Sequence, residues 1–258
     1  VSRWPFLDHP GPLPFAHRGG AGDGPENTLP AFERAVALGY RYLETDVHLT
    51  ADGVLLAFHD DRLDRVTDRT GEIAMLPYAT VAEARVDGRE PIPLLEDLLG
   101  SFPDTRVNID PKQDGSVTAL IEVIHRTRSV DRVCIGSFSD ARLRRLRTAL
   151  GPALCTSMGP GEVARLRVDT ATGRTRSWAA GCVQVPERVR GVTLTDAALV
   201  RAAHRADLQV HVWTVDDSAA MRRLLDLGVD GIMTDRPQVL KDVLVERAQW
   251  VRGAHRGS

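Results

Sequence analysis

The 258-residue chain has no apolar run that approaches the roughly 18 residues of a membrane-spanning helix. It has no excess of one charge either. The 33 Lys and Arg stand against 35 Asp and Glu, and a net charge of −2 gives no global pull toward nucleic acid or an anionic membrane. Cysteine is scarce. Cys134, Cys155 and Cys182 are widely spaced, each inside an apolar run, which is neither a disulfide framework nor a zinc-ligand spacing. Buried free thiols of a reducing compartment are expected. The first 14 residues show no signal-peptide pattern, so a cytoplasmic location and no stable membrane insertion are expected. Low-complexity tracts and sequence repeats are missing. So is a G-x-G-x-x-G leading from a strand directly into a helix, which weakens a dinucleotide-binding reading.

What is present is a balanced globular composition, 43% apolar and 26% charged, which excludes wholesale disorder. Nine short β-type runs alternate with helical periodicity: 13–16, 42–49, 54–59, 106–110, 133–138, 154–158, 182–185, 209–215 and 231–234. Most are continuously apolar, as strands covered on both faces must be. Between them, apolar residues recur on one helical face, as with Leu29, Phe32 and Val36, or Leu143, Leu146 and Leu150. About eight β/α units predict an α/β fold, a (β/α)8 TIM barrel, in one domain over 1–258. Residues 60–91 are too long for a plain loop and read as a small insertion after the His59-Asp60 strand. A mobile loop is expected over 159–181 and a frayed tail over about 247–258.

Ionisable residues gather at predicted strand ends, where barrel active sites are built: His17-Arg18, Glu44-Thr45-Asp46, His59-Asp60 and Asp110-Pro111-Lys112. Glu44 and Asp46 are two apart and share one strand face. Two ionised carboxylates buried there without compensation carry a prohibitive desolvation cost. A divalent cation resolves the conflict, and hard oxygen ligands suit Mg²⁺ or Ca²⁺.

The stretch FAHRGGAGDGPENTLPAFERAVALGYRYLETDVHLTADGVLLAFHD, Phe15 to Asp60, resembles the signature block of the glycerophosphodiester phosphodiesterases, in the phosphatidylinositol phospholipase C-like phosphodiesterase superfamily. The likeness continues through Pro91-Ile92-Pro93-Leu94, Asn108-Ile109-Asp110-Pro111-Lys112, Ser137-Phe138, Val212-Trp213-Thr214 and Thr234-Asp235-Arg236-Pro237. It implies a TIM barrel that hydrolyses glycerophosphodiesters to glycerol 3-phosphate and an alcohol with one divalent cation, Mg²⁺ or Ca²⁺. By the same resemblance, Glu44, Asp46 and Asp110 would ligate the metal and His17 and His59 would be the acid/base pair. Arg18 and Lys112 would clamp the phosphate, Trp213 would wall the glycerol, and Glu26 and Asn27 would orient the residues around them. The family commonly has Glu where this chain has Asp110, one methylene shorter. The expected partner is a small-molecule diester, not a nucleic acid.

Two alternatives stand beside this. A lysophospholipase D acting on lipid-like diesters needs an apolar groove, lined by the 60–91 insertion (Met75, Leu76, Tyr78) or by 159–181. A non-catalytic phosphodiester-binding barrel needs no proton shuttle, and the two histidines count against it.

Overall fold

A computed structural model describes residues 3–174 and 176–251. Eight parallel strands among them form the barrel wall: β1 (Leu13–His17), β2 (Tyr42–Leu49), β3 (Arg106–Pro111), β4 (Val133–Ile135), β5 (Cys155–Thr156), β6 (Cys182–Pro186), β7 (Gln209–Trp213) and β8 (Gly231–Thr234). Their order is β5-β4-β3-β2-β1-β8-β7-β6. The ring closes between β5 and β6, where Ser157 bridges Cys182 and the Met158 amide donates to the Cys182 carbonyl at 2.8 Å. The ninth β-type run is not part of the wall. Leu55–Ala57 pairs antiparallel with the far half of β2, so the chain doubles back before entering the insertion.

Eight helices follow the strands: α1 (Leu29–Ala37), α2 (Leu95–Ser101), α3 (Ser116–Arg126), α4 (Asp140–Leu150), α5 (Pro160–Thr172), α6 (Ala197–Arg205), α7 (Ser218–Asp226) and α8 (Pro237–Glu246). Side-chain oxygens start several of them. Thr28, Ser139, Asp196 and Asp217 each accept the backbone N–H three residues on, satisfying a donor the helix leaves open. The helices turn their apolar faces inward: Phe32, Leu143 and Leu146 are at zero exposure with Leu29, Val36 and Leu150 partly buried around them, and Leu199, Met221 and Leu224 are at zero exposure on α6 and α7.

Inside the barrel floor, Phe15, Tyr42, Met233 and the three free cysteines form a buried apolar layer. A one-turn helix, Pro5–Leu7, plugs it from below, and the Tyr42 hydroxyl donates to the Phe6 carbonyl at 2.9 Å. Residues 60–91 form the insertion, with its own cluster of Leu56, Phe58, Leu63, Ile73, Val81 and Val86.

Two expectations are corrected here. The segment 159–181 is mostly the helix α5, because Pro160 pre-sets its first turn and the Glu162 carboxylate accepts the Gly159 N–H at 3.0 Å. The tail is packed as far as Trp250, whose ring lies 5.3 Å from that of Tyr40; residues 252–258 lie outside the described ones.

Candidate active site

Register places the ionisable residues. His17 on β1 is opposite Glu44 on β2, and Asp46 on β2 is opposite Asp110 on β3. With Glu44 and Asp46 two apart, the parallel ladders bring these four groups to the top of one barrel quadrant. The residue between them, Thr45, turns outward and donates to the Asn27 carboxamide oxygen at 2.7 Å. Asn27 in turn donates its backbone N–H to the Arg18 carbonyl at 2.9 Å, so it shapes the loop that carries Arg18. That loop needs Gly19. Its φ is +80°, and a Cβ there would lie 2.8 Å from that of Ala31.

The two histidines are held alike. His17 Nδ1 lies 2.6 Å from Asp235 Oδ1, and His59 Nδ1 lies 2.5 Å from Asp60 Oδ1. A carboxylate on Nδ1 fixes each ring's orientation and directs Nε2 elsewhere. In His17, Nε2 stands 3.7 Å from Glu44 Oε2. Burial pushes the His17 ring toward its neutral form, but Glu44 and Asp235 outweigh it and its pKa is raised. In the sequence, Asp235 and Asp60 stand only as parts of motifs. The Asp235 pairing follows from β8 lying beside β1, which no spacing shows, and the Asp60 pairing from the turn after Phe58, which folds this carboxylate back onto its neighbour's ring.

Glu44 and Asp46 are 4% and 2% exposed. Burial, reinforced by Asp46, raises the Glu44 carboxyl to about 7 against His17, Arg18 and Lys112. Burial likewise raises Asp110, against the pull of Lys112. Lys112 reaches both Asp46 and Asp110, at 2.7 and 2.8 Å. Arg18 Nε lies 3.1 Å from Asp46 Oδ2, yet neither atom has hydrogen-bond geometry with any partner. The donor set and this buried carboxylate oxygen without a hydrogen bond suit a hard cation. As arranged, Lys112 takes up one oxygen each of Asp46 and Asp110, and among the described residues no three acidic, His or Cys side chains converge as a ligand set.

All of His17, Arg18, Glu44, Asp46, His59, Asp110, Lys112 and Trp213 line one cavity of about 600 Å³. Glu26 does not line it but receives Arg18 Nη1 at 3.0 Å. Beyond Trp213 the walls turn apolar, with Phe138, Met158, Val163, Val185, Val189 and Leu194. Phe138 stands edge-on to Trp213 at 5.7 Å and is 69% exposed at the rim. Val189 belongs to a hairpin, Arg188–Thr193, and Leu194 follows it; the hairpin is turned by Arg190 and Gly191, both with positive φ. Of the two segments read as possible groove walls, only 159–181 contributes, through α5. The insertion's Met75 faces solvent, while Leu76 and Tyr78 pack into the insertion itself. His48 is structural: its ring spans the His59 carbonyl and Gln113, each at 2.9 Å.

Paired basic groups, tethered histidines and buried carboxylates at the C-terminal mouth of a (β/α)8 barrel define an enzyme class, the barrel phosphodiesterases. The pattern of the Glycerophosphoryl diester phosphodiesterase family matches residues 17–239, and the chain belongs to that family. A Mycobacterium tuberculosis protein named "Probable glycerophosphodiester phosphodiesterase 2" is 42% identical over 251 residues, 95% of either chain. The human Lysophospholipase D GDPD1 is 26% identical over 279 residues, covering 89% of this chain and 85% of the relative. A solved Oleispira antarctica phosphodiesterase in complex with the product sn-glycerol-3-phosphate has the same fold, with a TM-score of 0.77 at 24% identity over 91% of this chain and 97% of that one.

Proposed function

We propose that this chain hydrolyses glycerophosphodiesters to glycerol 3-phosphate and an alcohol, with His17 and His59 as the proton-transfer pair and one divalent cation as cofactor. The observation that carries the reading is the pair of carboxylate-tethered histidines facing a cavity that also holds Arg18 and Lys112. A binder needs the cations; only a catalyst needs two positioned imidazoles. Arg18 and Lys112 bind the anionic phosphate, one as a planar fork and the other as a point charge. One imidazole removes a proton from the attacking hydroxyl and the other supplies one to the departing alkoxide. Trp213 gives the glycerol an apolar wall. Glu44, Asp46 and Asp110 would hold Mg²⁺ or Ca²⁺, which neutralises phosphate charge when bound. The proposed partner is a small-molecule diester bound at the barrel mouth; among the described residues no helix is long and apolar enough to cross a membrane.

A second reading, lysophospholipase D activity, is favoured by the apolar arm beyond Trp213, which continues from the site to the exposed Phe138. Glycerophosphocholine incubated with enzyme and Mg²⁺ or Ca²⁺ should release glycerol 3-phosphate, and release should stop on chelation and in Glu44→Ala. Undiminished release under chelation removes the metal role; no release from any glycerophosphodiester removes the activity.

A further inference from the structure

Arg65 lies in the insertion and outside the cavity lining, yet its guanidinium meets the carboxylates behind two different active-site side chains. Nε and Nη2 donate to Asp60, at 2.5 and 3.2 Å, and Asp60 holds His59. Nη1 and Nη2 donate to Glu26, at 3.0 and 2.6 Å, and Glu26 receives Arg18. One planar fork therefore joins the loop after β1 to the turn after Phe58.

The base of this fork is fixed. Leu63, two residues earlier, is buried in the insertion's own core, and its N–H donates to the Gly71 carbonyl at 3.0 Å. Asp64 accepts the Gly71 N–H at 3.0 Å, and Thr67 bridges Val86. The insertion thus holds the guanidinium from a packed platform.

We infer that Arg65 is a positioning residue, and that the insertion serves the site by orienting His59 through Asp60 and Arg18 through Glu26. The inference rests on the proton-transfer role given above to His59. Asp60 and Glu26 share Arg65 Nη2, so without the guanidinium the two carboxylates lose the group that holds them side by side. Repulsion then turns Asp60 away from His59 and Glu26 away from Arg18. Burial acts to raise the Asp60 carboxyl, but Arg65 and His59 outweigh it and keep it ionised. Lysine cannot replace this residue, since an ammonium is a point charge and does not present two edges to two carboxylates.

The test is a kinetic double-mutant cycle on the full chain, with glycerophosphocholine and saturating cation. Arg65→Gln should lower kcat roughly thirtyfold, less than the hundredfold or more that a positioned acid/base group itself contributes, because His59 stays in place and loses only its alignment, with a melting temperature close to that of wild type. Arg65→Lys should recover only part of the loss. In Arg65→Gln/Asp60→Asn the loss should fall well short of the product of the two single losses, because both substitutions remove one tether. A purely structural role predicts a melting temperature that falls along with kcat. Losses that multiply, full activity in Arg65→Lys, or a kcat that follows thermal stability would each overturn the inference. If wild type itself turns over no diester, the functional reading fails instead, and the two failures are distinguishable.

Discussion

At the scale of single residues, the two histidines differ in their surroundings. His59 has one carboxylate, Asp60, while His17 stands between Asp235 and Glu44. Replacing Asp235 with Asn keeps a side chain of the same size but removes the anion on Nδ1. Ring orientation and tautomer are then no longer fixed, and kcat should fall on the order of a hundredfold with little change in KM. The pH profile gives the sign. An anion nearby favours imidazolium and raises the His17 pKa, so removing it moves the limb reporting His17 to lower pH. An unmoved profile in this variant would show that Asp235 does not act through His17. His17, Arg18, Glu44, Asp46, His59, Asp110, Lys112 and Trp213 were legible as candidates because each sits at or near a strand end in a continuous motif. Asp235 and Arg65 were not, because Asp235 meets His17 across 218 residues and Arg65 meets Glu26 across 39; Asp60 stands beside His59 in the motif, but that it tethers the ring shows only in the folded turn.

At the scale of elements, only one of the two segments that a reading of the chain offers as groove walls takes that part, and it does so as the helix α5. The insertion's apolar residues fill its own small core, so it offers the cavity a scaffold rather than a groove. Helix α5 and the Arg188–Thr193 hairpin supply the apolar arm instead, through Val163, Val189 and Leu194. Leu194 lines that arm and leans on the core beside it, so shortening it to Ala removes apolar surface from the arm and none from the ionisable end of the cavity. Turnover of lysophosphatidylcholine should fall about tenfold, while turnover of the deacylated diester, which does not reach the arm, stays within about twofold. Equal losses on both substrates would remove the lipid-like reading. Polar composition concealed α5, since a helix lying half against solvent carries residues that also compose loops. Its N-terminal Gly-Pro-Gly looks like a turn until Glu162 is seen to accept the Gly159 amide.

At the scale of the whole molecule, the barrel separates stability from chemistry by its two ends. The lower end is closed by Phe6, fully buried against Phe15 and Tyr42, with ring centroids 6.3 and 5.5 Å away. Phe6→Ala should cost about 3–4 kcal/mol and lower the melting temperature by several degrees. Because the ionisable groups occupy the opposite end, kcat at 25 °C should change little, and a large drop would show that the floor shapes the site. The sequence alone determined the (β/α)8 repeat, since continuous apolar strands and one-sided helices permit few other layer arrangements. It also determined the residue types at the strand ends. Only the tertiary structure decided how those groups are paired: Lys112 between Asp46 and Asp110, Asp235 behind His17, and Arg65 across Asp60 and Glu26. The physical reason is range. Hydrophobic periodicity is written in neighbours three or four residues apart, whereas these pairings join groups up to 218 residues apart that meet only once the ring closes.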